Sequence, residues 1–266
     1  MSPTLLRVLS LLISLIGLMP MAEAQSGESC SPLPGDVAQL VDVSDGILLV
    51  GELHGTTESP GRFLDLVCHA SKKSSSKTIV AIEYLPGQIQ LTGDNQQLKQ
   101  SVEQLDSWQQ QHDGKTSEAM FFLLTRLNQL VAEQRIEVVF FDASADDREL
   151  AMAQNLMALQ SPNTRVIALT GNRHNKINHG NDWDPNSKNM GAYMREHGAN
   201  VTSLNLLHGG GSAWVCMEQC KSHNFPPPKI PHTKILFEAS AANGYQYHWA
   251  IGPISASKPY IATPQL

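Results

Sequence analysis

The sequence predicts an α/β fold: an open, mainly parallel sheet covered by helices on both faces, with a C-terminal β-hairpin. Three observations carry this expectation. Apolar, β-branched runs alternate with stretches of helical periodicity, the rhythm of βαβ units. No internal repeat or low-complexity linker divides the chain, so 25–266 is taken as one domain. A chain of 266 residues is long enough to bury a sizeable core.

The first 24 residues stand apart. "MSPTLLRVLSLLISLIGLMPMAEA" places Arg7 before an apolar stretch from Val8 to Leu18 and ends in Ala22-Glu23-Ala24, a small-x-small cleavage signature. A secretory signal peptide over 1–24 is expected, and with it a periplasmic or secreted protein. The rival is an uncleaved anchor, but the stretch falls short of the roughly 18 apolar residues a span needs. Cys30 follows "GES", which is no lipobox. Export makes disulfides the default for Cys30, Cys68, Cys216 and Cys220. Of the three connectivities, Cys216–Cys220 with Cys30–Cys68 is the most economical: a small local loop, and a tie from the mature N-terminus to the first helix. A zinc site is the rival, but Cys-x3-Cys has no second pair near it.

The elements follow in order. "GILLVGELH" (46–54) is the first strand, and a helix begins at Pro60 with Ser59 as its N-cap. "TIVAIEYL" (78–85) is the second strand. A polar, Gln-rich insert spans 86–116, a lid or an ordinary connection, in which Leu98, Val102 and Leu105 take helical spacing. "SEAMFFLLTRLNQLVAEQ" (117–134) is a helix capped by Ser117. "IEVVFFDAS" (136–144) is the third strand, 146–160 a helix, and "TRVIALTGNRH" (164–174) the fourth strand. A helix from 190 to 197 and a fifth strand, "NVTSLNLL" (200–207), come next. "KILFEAS" and "YQYHWAIGPI" form the hairpin at the sheet edge.

A net charge of −6 with interspersed acids and bases argues against nucleic acid. The basic stretches "SKKSSSK" and "PPPKIPHTK" read as solvated loops.

In a parallel α/β sheet, ligands bind beyond the carboxyl ends of the strands. Glu52 and His54 close strand one, Glu83 strand two, Asp142 strand three and His174 strand four. Residues two apart in a strand share a face, so Glu52 and His54 can act together. Glu83, inside "IVAIEYL", costs too much to bury without a partner. Each has a plainer alternative: Glu83 a surface salt bridge, Asp142 a helix cap, Glu58 an electrostatic match to a helix N-terminus, Arg62 a side chain reaching to water.

Gly51-Glu52-Leu53-His54 and Gly171-Asn172-Arg173-His174 are both G-x-x-H. Their order, with a glutamate strand between, resembles the superfamily joining the erythromycin esterases, the ChaN haem-uptake lipoproteins and the Tiki/TraB proteins. "GELHGTTE" resembles its opening motif, "VAIEYL" the strand-two glutamate, "DRELAMAQN" the Arg and Met-Ala helix of ChaN-like members, and "GNRHN" with "NMGAYM" the second motif. The resemblance spans most of the mature chain. For esterase-like members it implies that His54 activates water, aided by Glu52, Glu83 and His174. For Tiki-like members it implies a divalent metal and peptide cleavage, and for ChaN-like members haem binding. Esterases carry Glu three before His, whereas Glu52 is two before His54. That places the chain nearer the ChaN side and speaks against macrolide hydrolysis.

No Ser or Cys lies in a G-x-S-x-G context, which leaves activated water. Without metal, His54 is the general base, oriented by Glu52 or Glu83, with His174 or Arg62 stabilising the oxyanion. With metal, His54, His174 and Glu83 are the ligands. Both schemes make a hydrolase on a small-molecule or peptide substrate. The alternative is a haem-binding protein, with Tyr84, Tyr193 and Met190 as pieces of its pocket. In "DWDPNS", Asp182, Asp184 and Asn186 begin like an EF-hand loop, but Ser187 and Tyr193 stand where Gly and Glu belong; the plainer alternative is a turn.

Overall fold

Six parallel strands form the body of an eight-stranded sheet, and their sequence pattern shows which faces are covered. In chain order the elements are α1 (Gly35–Val43), β1 (Ile47–Glu52), α2 (Glu58–Ala70), β2 (Lys77–Ile82), α3 (Asn95–Glu103), α4 (Asp106–Gln110), a 3-10 turn (Gly114–Thr116) and α5 (Glu118–Ala132). They continue with β3 (Glu137–Phe140), α6 (Arg148–Met157), β4 (Thr164–Gly171), α7 (Met190–Glu196), β5 (Val201–Cys216), β6 (Cys220–Phe225), β7 (Leu236–Glu238) and β8 (Tyr247–Ile254). The computed structural model describes residues 30–72, 77–181 and 184–261. The expected leader over 1–24 lies outside them.

The strand order is β3-β2-β4-β1-β5-β8-β7, with β6 paired to β5. Only β6 and β7 run antiparallel to their neighbours. The four central strands are apolar on both faces, as a doubly covered parallel sheet requires. Leu48, Val50, Val80, Ile82, Ile167 and Leu169 pack with Phe63 and Leu66 of α2 and Leu123 and Leu127 of α5. Ile47, Leu49, Ile79, Ala81, Val166 and Ala168 pack with Met152 and Leu156 of α6 and Met190 and Met194 of α7. β1 and β4 are parallel neighbours, yet α2 after β1 and α7 after β4 cover opposite faces. The chain therefore parts between their carboxyl ends and leaves a crevice there.

The mainly parallel sheet, its two helical layers and the β7–β8 hairpin at one edge match the expected α/β fold. Several elements end differently. α2 starts at Glu58, one residue after Thr57, so Ser59 and Pro60 lie in its first turn and Ser59 is no N-cap. Ser59 instead accepts a 2.7 Å hydrogen bond from Thr56 Oγ1. β5 runs nine residues beyond the expected 207, because bulges at 207/208 and 208/211 let it pass a glycine run that reads as a loop. It then pairs with β6 in a hairpin that the sequence pattern concealed.

Both expected disulfides are present, Cys30–Cys68 and Cys216–Cys220. Among the described residues no cysteine is free, so the zinc alternative for Cys216 and Cys220 falls. No helix among the described residues is long and apolar enough to cross a membrane. The two disulfides are compatible with a secreted protein.

Candidate functional site

The two G-x-x-H turns fit into one another. A Cβ on Gly171 would lie 2.9 Å from His54 Nε2, and one on Gly51 would lie 2.4 Å from Asn175 Oδ1. Each motif's glycine thus makes room for a side chain of the other. This explains why glycine opens both. It also brings His54, just past β1, beside His174, just past β4, at the crevice described above.

Each imidazole carries its own carboxylate. His54 Nδ1 lies 2.9 Å from Glu52 Oε1. His174 Nδ1 lies 2.6 Å from Glu149 Oε1, and Glu149 Oε2 in turn accepts from the Met190 amide at 2.7 Å. The other ring nitrogens converge on Glu83: His54 Nε2 at 3.7 Å from Oε2, and His174 Nε2 at 3.6 Å from Oε1. Glu52 and Glu83 are buried, while His54 and His174 keep 27% and 18% of their side chains exposed.

Glu83 is held from all sides. Thr170 Oγ1 and the Gly171 amide donate to Oε2 at 2.8 and 2.7 Å. Arg148 Nη2 and Lys115 Nζ donate to Oε1 at 2.8 and 3.1 Å. Asp142 receives Arg148 through Nε at 2.7 Å and Nη2 at 2.9 Å, a two-pronged pair, and Lys115 Nζ at 3.3 Å. Asp142 is therefore an anchor for Arg148, and the capping of α6 falls to Asp147, which accepts from the Leu150 amide.

These contacts set the protonation states. Burial works against charge on Glu83, but Lys115, both histidines and the Gly171 amide outweigh it and hold its pKa well below 4.5. Burial likewise opposes Asp142's charge, yet Arg148 and Lys115 keep its pKa below 3.8. His54 is opposed by burial as well, and the Glu52 hydrogen bond with the charges of Glu52 and Glu83 lifts its pKa above 6.5. Glu52 Oε2 is buried without a hydrogen-bond partner. His54 is thus the group that answers the Glu52 charge.

Of the residues expected from sequence, Glu52, His54, Glu83, Asp142 and His174 come together. Glu58 and Arg62 do not. Glu58 accepts from the Ser255 amide at 2.8 Å and its hydroxyl at 2.7 Å, fixing α2 to the chain after β8. Arg62 reaches Asp65 one turn along the same helix, at 3.4 Å. Helical geometry turns both away from the strand ends. Lys115 and Glu149 were not expected at the site, and Arg148 was marked only as the Arg of a resembling helix. Arg148 and Glu149 stand in "DRELAMAQN", and Lys115 closes the polar insert.

The expected metal set does not fit, and the residues expected to line a haem pocket are engaged elsewhere. Among the described residues no three His, Cys, Asp or Glu side chains form a group able to hold a metal ion. Arg148 and Lys115 already occupy Glu83 with two positive charges, where the His54–His174–Glu83 set would need a cation. For haem, Met190 is fully buried in the core beneath α7. The Tyr193 hydroxyl donates to Asp147 at 2.6 Å, and buried Tyr84 donates to the Lys115 carbonyl. None of the three offers a free axial ligand. In the Asn/Asp loop, Asp182 lies outside the described residues, and Asp184 accepts from the Asn186 amide at 2.9 Å, as in a turn.

The insert forms one wall of the site. Leu98, Val102 and Trp108 bury its helices in the core, and its 3-10 turn delivers Lys115. Gly114 presses on the loop after β1 so closely that a Cβ would lie 2.4 Å from the Gly55 amide. The hairpin arm braces the same loops: the Trp214 amide donates to Gly55 O, and its indole to His112 O, both at 2.8 Å.

No protein-family model matches the chain, and no curated protein matches it. Two solved structures are similar. A protein from Bacillus cereus, target BcR135, aligns with a TM-score of 0.52 at 10% identity, covering 85% of this chain and 93% of that one. The type III effector HopBA1 aligns with a TM-score of 0.47 at 14% identity, covering 86% of this chain and 100% of that one. At these identities the likeness to the Bacillus cereus protein concerns the fold alone.

Proposed function

We propose that this chain is a secreted or periplasmic hydrolase that cleaves an ester or amide with water activated by His54. One observation supports it above the rest: two imidazoles each hold a carboxylate on Nδ1 and turn Nε2 toward a shared centre. Glu52 fixes the His54 tautomer with Nδ1 protonated, which leaves Nε2 free to take a proton, the orienting logic of a catalytic triad with water in place of serine.

In the proposed reaction, water loses a proton to His54 Nε2 as its oxygen bonds to the carbonyl carbon. The negative charge that develops on the carbonyl oxygen lies near Arg148 Nη1, itself 3.4 Å from His174 Nε2. The bond to the leaving group then breaks, and the proton that His54 took from water passes to the departing oxygen or nitrogen. Glu83 and Asp142 keep Arg148 and Lys115 in place. The scheme needs no metal.

The test uses 4-nitrophenyl acetate with chelator-treated protein. His54→Ala is expected to lose about 10²–10⁴-fold in kcat/KM, the range for removing a general base, and chelation is expected to change nothing. Equal turnover by His54→Ala and the parent would remove the proposal. Activity that disappears with chelator and returns with a divalent ion would replace it with the metal scheme.

A further inference from the structure

Beside the histidine pair lies a cavity of about 360 Å³, between the end of β2, the segment after β3 and the insert. It shares Lys115 and Asp142 with the site, and its outer wall is built from Gln88, Ser107, Gln111 and Asp113. Its volume is at the small end of the range of roughly 300–1,000 Å³ for ligand pockets. That suits a single ring or short chain and excludes a macrocycle.

The lining also limits the chemistry. Asp113 and Asp142 outnumber Lys115, whose ammonium is already shared between Glu83 and Asp142. Arg148, bonded to Asp142 behind Lys115, evens the balance, so an anion gains no net attraction there. A cation would face Lys115 and, behind it, Arg148. Apolar lining comes from Leu85 and Tyr84, so a wholly apolar group would leave the glutamines, Ser107 and the carboxylates facing it unpaired. What remains is a neutral group rich in hydroxyl donors. The wall offers both donors and acceptors, two side-chain amides and a hydroxyl beside the carboxylates, as hydroxyl groups require. Asp113 spends Oδ1 on the Lys115 amide at 2.9 Å, and Thr116 spends its hydroxyl on the carbonyls of Gln111 and Asp113. The ligand must therefore meet Gln88, Gln111 and Ser107.

We propose that this cavity is the recognition pocket for a neutral polyhydroxylated group, a sugar, carried by the substrate whose ester bond the neighbouring histidines cleave. The inference rests on the hydrolase reading for the cleavage step and on the cavity alone for binding. Both glutamines are exposed and outside the charged cluster, so replacing them leaves the proposed machinery intact.

The experiment separates the two parts. Methyl pyranosides of the gluco, galacto, manno and N-acetylglucosamine series are titrated calorimetrically into the full chain and into Gln88→Leu and Gln111→Leu. Hydrolysis of methyl 6-O-acetylglucoside and of 4-nitrophenyl acetate is measured in parallel. At least one pyranoside is expected to bind, with affinity falling about tenfold in a glutamine variant for the loss of a hydrogen bond. The same variant is expected to lose a similar factor in kcat/KM on the sugar ester and less than about twofold on 4-nitrophenyl acetate, which makes no such contact. No binding by any pyranoside, or equal binding by the parent and both variants, overturns the pocket. Glutamine-dependent binding with neither ester hydrolysed upholds the pocket and removes the hydrolase reading.

Discussion

His54 and His174 each set both ring nitrogens against carboxylates, with Arg148 and Lys115 supplying the permanent positive charge. The arrangement ties stability to pH. Glu83 and Asp142 have pKa values lowered below 4.5 and 3.8, so the stability their ionised forms contribute is present above those values. It is lost as pH falls through the lowered folded-state pKa values. His54 has the opposite sign: its raised pKa contributes stability below about 6.5, lost as pH climbs through the folded value. Arg148→Met leaves two buried carboxylates with Lys115 as their one permanent counter-charge. It is expected to cost about 3 kcal/mol in urea unfolding and to move acid unfolding to higher pH. A stability and acid midpoint unchanged from the parent would mean that Arg148 is not the main counter-charge. Such partners are hard to read from sequence. Glu83, embedded in an apolar run, announces that it needs one. Arg148 and Lys115 look like solvated charges on a helix and a loop, and they meet Glu83 only because the chain folds back across 65 and 32 positions.

At the scale of elements, alternating apolar runs made the parallel strands and most helices legible, since burial on both faces leaves a continuous hydrophobic signature. Apart from Glu52, which ends β1, the residues expected to close the strands lie beyond them. His54, Glu83, Asp142 and His174 all lie in the turns just past the last paired residue, where side chains can face one another across the crevice. The far half of β5 was hidden by His208-Gly209-Gly210-Gly211. Gly210 and Gly211 have φ of +88° and +125°, conformations that mark loops in most contexts and here shape a bulged strand. Tight packing between elements also sets the site. Gly114→Ala forces a methyl against the Gly55 backbone, so the insert and the His54 loop must separate. The expected cost is about 2 kcal/mol in stability, with a larger proportional loss in kcat than in KM. Parent-like stability and turnover would show that this contact does not position His54.

For the whole molecule, the two disulfides act at very different chain lengths. Cys30–Cys68 spans a sequence separation of 38 and Cys216–Cys220 one of 4. By loop-closure entropy, removing the first pair should cost about 4 kcal/mol and the second about 2 kcal/mol. Paired Cys→Ser variants compared by thermal unfolding check this, and the reverse order would contradict the entropic account. Cys216–Cys220 also closes the arm that holds Gly55 and the insert. Its double variant should therefore lose turnover out of proportion to its smaller loss of stability.

In the proposed mechanism Glu52 makes His54 the base. That role is tested most directly by the pH dependence of kcat/KM for 4-nitrophenyl acetate in the parent and in Glu52→Gln. The base must be neutral to accept a proton, so parent activity should rise with pH through an apparent pKa above 6.5. Glu52→Gln removes the hydrogen bond and the charge that raise it. The limb should move to lower pH while the plateau falls about 10²–10⁴-fold. Superimposable profiles for the two proteins would contradict the account.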